Sequence, residues 1–438
     1  MRVAITTLGC KVNQYDTAVM QRLFSEQRWS QVPFTDEADA YVVNTCTVTD
    51  RADSDARRLA RRARRANPEA RVILTGCYAQ TSPQQLVELE YVDYVIGLGR
   101  LPDLLRAVEG ELSDRVAVSD LRQADTVDTL GIESFSGRTR AYVKVQEGCN
   151  LFCTYCIVPV ARGRSRSVAP RKVIEEIDRL EASGYREVVL TGVHLGGYGD
   201  DLEPTCDLAF LLEAIAERRP RLRVRISSVD PPEITDRLVD IVASSDVFCR
   251  HFHIPLQSGC DSVLGRMKRL YTAEEARTAL RRLQTRIPDV CIGTDIITGF
   301  PGETREEFDE TADFLRDVGL SYLHVFPYSV RTSTSAAKRW QALPDHIVHD
   351  RAREMRDVDA ALRQLFEDRF IGQRAAVLIE SSRDSETGML KGYSSNYLPV
   401  LVDGPDTLMN RVVPVDLAGR SGKRLVAHTV DGPQMVAV

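Results

Sequence analysis

Three cysteines within eight residues, Cys149, Cys153 and Cys156, constrain this chain more than any other feature. Spaced C-x3-C-x2-C, their thiolates can converge on one loop and hold three irons of a four-iron, four-sulfur cluster, leaving the fourth iron without a protein ligand. An open iron can bind and act on a small molecule, as catalytic metal sites do and closed structural sites do not. A structural zinc site is the competing reading. It asks for a fourth Cys or His close by, and none falls near this run.

The chain around that motif has 438 residues, too many for one ordinary core, so two or three domains are expected. A hydrophobic content of 43% with 27% charged residues describes a soluble globular protein. Met1-Arg2-Val3-Ala4-Ile5 runs straight into a strand-like pattern, and no apolar run approaches the roughly 18 residues of a membrane span. A cytoplasmic location without membrane contact follows as the expectation. Ten cysteines then read as metal ligands and buried thiols in place of a disulfide framework. The net charge of −6 gives no global sign of nucleic-acid binding, so any such site must be a local patch.

Within residues 1–120, short apolar runs at Arg2–Thr7, Tyr41–Asn44, Arg71–Thr75 and Tyr94–Ile96 alternate with helix-like segments. This predicts a doubly wound parallel sheet covered on both faces. The first three strands are followed by Cys10, Cys46 and Cys77. In an open parallel sheet the strand C-termini share one edge, so these cysteines should meet there and could hold a second cluster. Alternatively each is a small buried residue at a strand end. The helix after the second strand carries seven arginines against two aspartates between Arg51 and Arg65. Arg57, Arg61 and Arg65 form one ridge at helical spacing, which fits either an external phosphate backbone or a solvated face.

A polar stretch from Asp120 to Arg140 reads as a linker. Residues 135–368 resume the alternation, with strands expected at Ala141–Val145, Glu187–Thr191, Arg223–Ser227, His251–Pro255, Val290–Ile297 and Ser321–Phe326. Six such units predict a partial parallel (β/α)6 barrel, laterally open where a complete barrel has eight. The cysteine motif follows the first strand, at the C-terminal mouth where barrel active sites sit. Arg162, Arg164 and Arg166 come shortly after, at alternate positions. They either meet an anion in that mouth or face water. Cys206, Cys249, Cys260 and Cys291 lack metal-ligand spacing. Residues 371–438 change to five short strands, predicting a small antiparallel β-barrel of the oligonucleotide-binding type. Tyr393 and Tyr397 could stack on bases there or be ordinary strand residues. Seven basic and seven acidic residues leave this segment without a basic excess.

The motif, with Tyr155 before its last cysteine, resembles the signature of the radical S-adenosylmethionine (SAM) enzymes. That resemblance implies that the open iron chelates SAM and that an electron from the cluster cleaves it to a 5′-deoxyadenosyl radical. It also implies that Tyr155 lies near the adenine, that Thr191, Gly192 and His194 lie near the methionine end of SAM, and that Gln257 and Gly299 lie near its nucleoside end. The usual Gly-Gly-Glu after the second strand is missing here. Gly9-Cys10-Lys11-Val12-Asn13, Asn44-Thr45-Cys46 and Thr75-Gly76-Cys77 resemble the N-terminal domain of the methylthiotransferases, a radical SAM subfamily. In that family the corresponding cysteines hold an auxiliary 4Fe-4S cluster. Gly392-Tyr393-Ser394-Ser395-Asn396-Tyr397 resembles the RNA-binding TRAM domain.

The resemblance therefore implies two 4Fe-4S clusters, SAM, a tRNA anticodon stem-loop as partner, a monomer, and an electron donor and sulfur source of unstated identity. Lys11-Val12-Asn13-Gln14 is most similar to the branch that modifies threonylcarbamoyladenosine at position 37 beside the anticodon. The branch acting on isopentenyladenosine tends to carry Gln-Met-Asn there, and the branch acting on an aspartate of a ribosomal protein Pro-Lys-Asn. An RNA-binding iron–sulfur sensor is the non-catalytic alternative.

Overall fold

The structure, a computed structural model, describes residues 1–430 except 125, 128–130 and 136. The expected linker and the last strand's C-terminal flank thus lie partly outside the described residues.

Short apolar strands buried on both faces build the first layer system, because successive side chains point to opposite sides of a sheet. Tyr41 and Val43 face Ala56, Ala60 and Ala63 of the helix Asp50–Ala66. Ala40 and Val42 face Met20 and Phe24 of the helix Lys11–Glu26 and Leu104 and Val108 of the helix Leu101–Glu109. An all-alanine stripe lets the arginine-rich helix sit close to the sheet and leaves its long side chains outside. The Thr49 hydroxyl caps this helix by accepting the Ala52 N–H at 3.3 Å. The sheet has six parallel strands, in the order Ser30–Val32, Arg2–Thr7, Ala40–Thr45, Arg71–Gly76, Tyr94–Ile96, Val116–Ala117. Its two edge strands were not expected. Ser30-Gln31-Val32 carries one apolar residue and Val116-Ala117 is two residues long, so their pairing partners make them strands more than their own pattern does.

The second system contains all six expected strands: Ala141–Lys144, Glu187–Thr191, Arg223–Ile226, His251–His253, Cys291–Thr298 and Tyr322–Pro327. They pair in parallel and in sequence order, the third and fourth joined through the Ser228–His253 bridge. Among the described residues no ladder joins the first strand to the last, which leaves the barrel open at the side.

The third system is a closed five-stranded barrel of Arg374–Arg383, Leu390–Ser394, Pro399–Val402, Val412–Ser421 and Arg424–Thr429. One of its pairings, Pro399–Val402 with Arg424–Thr429, is parallel, so the barrel is not antiparallel throughout. Its turn Ser394–Tyr397 sits under the strand starts of the central barrel. Arg223 donates to the Tyr393 carbonyl at 2.7 Å, and Arg225 to the Ser395 carbonyl at 3.0 Å. Asn396 donates to Asp289 O at 3.2 Å, and the Arg250 N–H to Ser395 Oγ at 3.2 Å. Both arginines that reach this turn are anchored by the buried Glu187, at 2.5 Å from Arg223 and 2.8 Å from Arg225. Among the described residues no helix is long and apolar enough to cross a membrane.

Burial opposes ionisation of Glu187, but Arg225 and Arg223 outweigh it and hold its pKa at about 2, against 4.5 for a free glutamate. A lowered folded-state pKa means stability that is complete above the unfolded value and lost as pH falls through the folded one. Melting temperature should therefore drop between about pH 4.5 and 2. At neutral pH, Glu187→Ala leaves two buried guanidinium groups unpaired and should cost about 3–5 kcal/mol. Thermal unfolding against pH, with proteolysis at the 368–374 junction, measures both.

Candidate active site

The cysteine loop leaves the C-terminal end of the strand Ala141–Lys144 and is closed at its base by antiparallel pairing of Gln146–Glu147 with Arg166–Ser167. Gly148 has φ +75, and a Cβ there would lie 1.9 Å from the Arg164 carbonyl oxygen, so the loop can close this tightly only on glycine. Backbone bonds then fix the cysteines. The Cys149 N–H donates to Gly163 O at 3.1 Å and the Thr154 N–H to Met267 O at 3.0 Å. The Thr154 hydroxyl donates to Arg266 O at 2.8 Å. Arg269 Nη1 stands 3.5 Å from Cys153 Sγ, and Arg269 is paired with Asp230 at 2.7 Å.

All three are free thiols. Burial pushes Cys149 up to about 11 and Cys156 up to about 12, so they ionise at neutral pH only against a bound cation. In neither cysteine set do all three sulfurs lie within 4.8 Å of one another. Ligands gripping one zinc ion, each about 2.3 Å from the metal, would do so. Three free thiols on one short loop are the donor type an iron–sulfur cluster takes.

The strand-end cysteines do meet at one edge. Asn13 Oδ1 lies 3.9 Å from both Cys10 Sγ and Cys77 Sγ. A Cβ on Gly9 would be 2.9 Å from Cys46 Sγ, which places Cys46 beside Cys10. Asn13 is locked by its own amide, donating to Leu8 O at 2.7 Å and Thr45 O at 3.0 Å. Burial raises the Cys46 and Cys77 thiols, Cys77 to about 12. Arg162 reaches this edge from the loop after Cys156. It donates to Asn13 Oδ1 at 2.6 Å and Asp16 Oδ2 at 2.9 Å, and also pairs with Glu147. Lys144 completes the group, at 2.9 Å from Asp16 and 3.0 Å from Glu147.

Beside Cys156 lies a cavity of ≈ 180 Å³. Val48 and Thr49, which follow Cys46, form one wall, and Tyr155, Cys156 and Val158 another. Gln257, Asp295, Ile297 and Phe326 complete it. Of the residues expected near SAM, Tyr155 and Gln257 line this cavity. Gln257 has φ +67 and bridges to Ile296.

Thr191, Gly192 and His194 occupy the turn after the second strand, on the Arg269 side. Gln146 Oε1 accepts the Val193 and His194 N–H groups at 2.9 and 2.8 Å and pins that turn. His194 Nε2 meets Glu233 at 2.5 Å. Burial disfavours its charge, but the Glu233 bond prevails and raises its pKa. The Gly299 N–H donates to Glu303 at 2.9 Å, and Glu303 pairs with Arg351 at 2.6 Å.

The predicted arginines have separate surroundings. Arg162 is buried, Arg166 holds the Arg164 carbonyl at 3.2 Å, and Arg164 is exposed. Arg57 is engaged by Tyr78 at 2.7 Å, while Arg61 and Arg65 are exposed, Arg61 over the Tyr91 ring. Tyr393 and Tyr397 stack on each other at 4.9 Å and turn into the floor of the central barrel, where Arg140 covers Tyr393 and Arg225 covers Tyr397, each at 4.8 Å. Cys291 packs into the apolar cluster of the C-terminal barrel, and Cys260 into a small one against which Tyr155 of the cysteine loop is packed.

Sequence reasoning missed several residues. Asp295, midway along its strand, accepts from His253 at 2.9 Å and His324 at 3.1 Å. Burial would raise it, yet the two histidines hold it well below the usual carboxylate range.

Two protein families match the chain: the Radical SAM superfamily over residues 143–315 and Uncharacterized protein family UPF0004 over residues 2–97. A threonylcarbamoyladenosine tRNA methylthiotransferase of Bacillus subtilis is 38% identical over 420 residues, covering 95% of this chain and 93% of the relative. A tRNA-2-methylthio-N(6)-dimethylallyladenosine synthase of Pelotomaculum thermopropionicum is 31% identical over 425 residues, covering 95% and 94%. Among solved structures, a radical SAM methyltransferase from Kitasatospora setae aligns with TM-score 0.55 at 18% identity, covering 77% of this chain and 75% of that one, which shows likeness of fold.

Removing Arg162 should disturb the edge that holds Cys10 and Cys77 and the base of the cysteine loop together, because its guanidinium bonds Asn13 and Asp16 on one side and Glu147 on the other. Arg162→Ala leaves Asp16 and Glu147 sharing Lys144 alone, and the loss of a buried partner should cost about 3–5 kcal/mol. The expected outcome is a lower melting temperature with reduced iron uptake, read by calorimetry and iron assay of the reconstituted protein.

Proposed function

The chain belongs to the radical SAM methylthiotransferases, and from this premise we propose that it inserts a methylthio group at carbon 2 of N6-threonylcarbamoyladenosine, position 37 of tRNA. The family's cofactors are a four-iron cluster and SAM. Cys149, Cys153 and Cys156 are the residues to hold that cluster. Cys10, Cys46 and Cys77 are proposed to hold a second one, which carries the sulfur. When bound, these groups supply a carbon radical able to break an unactivated C–H bond, which acid–base chemistry at neutral pH cannot do.

The observation carrying the reading is the shared cavity. The residues after Cys46 and those around Cys156 face one space, so a base placed there touches the side that supplies the radical and the side that supplies sulfur. The chain's own residues prepare that space. Tyr155 and Ile157 exclude water, Gln257 offers an amide to a nucleoside, and Arg269 sets a fixed cation beside Cys153. Thr191, Gly192, His194 and Gly299 are proposed to surround the rest of SAM. The exposed Arg61 and Arg65, with the C-terminal barrel, are proposed to meet the anticodon stem-loop. The threonylcarbamoyladenosine tRNA methylthiotransferases among the relatives include two at 38% and 39% identity, against 31% for the dimethylallyladenosine synthase above.

Mass spectrometry of tRNA nucleosides from a deletion strain tests the substrate. The 2-methylthio form of threonylcarbamoyladenosine should disappear and return with the wild-type gene, while Cys149→Ala should not restore it. An unchanged level in the deletion strain removes this substrate. Anaerobic reconstitution should give about eight irons per chain, falling to about four in Cys46→Ala.

A further inference from the structure

One carboxylate, Asp295, lines the cavity beside Cys156, and two imidazoles converge on a single oxygen of it. His253 Nε2 lies 2.9 Å and His324 Nδ1 3.1 Å from Asp295 Oδ1. Strand register brings the three together. His324 is the ladder partner of Asp295, and His253 is the partner of Gly293, two residues before Asp295 and therefore on the same face of the sheet. The three donor atoms all lie within 4.8 Å of one another.

Donors each about 2.0–2.1 Å from one metal ion and about 90–110° apart are separated from each other by roughly 2.9–3.4 Å. Both His–Asp separations fall at that spacing. They are also hydrogen-bond lengths, so the surroundings of the triad decide between the two readings. On its other side, His253 Nδ1 meets Tyr322 Oη at 3.4 Å, and the same hydroxyl holds His251 Nε2 at 2.9 Å. A ligating imidazole is oriented by such a partner on its second nitrogen. Gly293 makes the room: a Cβ there would lie 2.0 Å from Cζ of the Tyr322 ring, so the ring takes this place only opposite a glycine.

Charge points the same way. The buried carboxylates Glu187, Asp16, Glu147 and Glu303 each pair with an arginine or a lysine. Among the described residues Asp295 pairs with neither, only with the two imidazoles. Neutral imidazoles give a carboxylate two N–H bonds but no countercharge. A divalent cation held by all three side chains supplies it.

We propose that His253, Asp295 and His324 bind a single divalent metal ion, of the zinc or iron(II) class that two imidazoles and one carboxylate select. This site contains no cysteine and is independent of which nucleoside is modified. Three protein ligands leave further positions on such an ion. Because Asp295 borders the cavity, a molecule occupying that cavity can fill one of them with an oxygen or nitrogen atom and be oriented by it.

The test uses the full chain reconstituted anaerobically with iron and sulfide, then dialysed against buffered micromolar zinc, with zinc and iron per chain read by mass spectrometry. Wild-type protein should bind one zinc per chain more than His324→Ala at equal iron content, and zinc should raise the melting temperature of the wild type alone. The His324 side chain is half-exposed, so its removal leaves the fold intact. Tyr322→Phe removes only the hydroxyl behind His253 and should raise the zinc Kd about tenfold or more. Equal zinc in wild type and His324→Ala would overturn the proposal. So would extra zinc in the wild type matched by a loss of iron, which marks binding at the cysteines.

Discussion

The buried group formed by Arg162, Lys144, Asp16, Glu147 and Asn13 is the interaction on which the arrangement of this molecule depends. Two cations and two carboxylates share a space from which water is excluded, so removing any one leaves an uncompensated charge. The carriers come from different layer systems. Asn13 and Asp16 lie on the first helix of the N-terminal sheet, Lys144 ends the first barrel strand, and Glu147 and Arg162 flank the cysteine loop. The charge pattern is satisfied in one relative placement of sheet and barrel, and that placement brings Val48 and Thr49, which follow Cys46, to the cavity that Cys156 lines. Asp16 and Glu147 hold Arg162 protonated despite its burial.

Much of the fold was legible because each element advertised itself locally. The barrel strands and the C-terminal strands carry apolar runs bounded by turns, and all of them were found. The convergence of Cys10, Cys46 and Cys77 followed from topology alone, since parallel strands end on one edge. The two edge strands were missed because neither carries a periodicity; their partners' open hydrogen-bonding groups recruit them.

Side-chain roles were less legible than positions. Arg162, Arg164 and Arg166 look equivalent in sequence, yet one ties the edge that holds Cys10 and Cys77 to the base of the cysteine loop, one braces a carbonyl and one is solvated. What separates them is which way a tight loop hinged at Gly148 and Gly163 aims each residue, and no local pattern encodes that. Asp295 was hidden for a different reason. It sits inside a strand whose other residues are apolar or small, and its partners His253 and His324 are on the strands either side, so the triad exists only once the sheet is formed.

The C-terminal barrel is joined to the central one by more than its covalent connection. Its Ser394–Tyr397 turn is bonded to strand starts contributed by separate parts of the chain, through Arg223, Arg225, Arg250 and Asp289. A module fastened in this way cannot swing on a tether. It keeps a set distance from Cys156, so its outer surface and the mouth of the central barrel travel together as one piece.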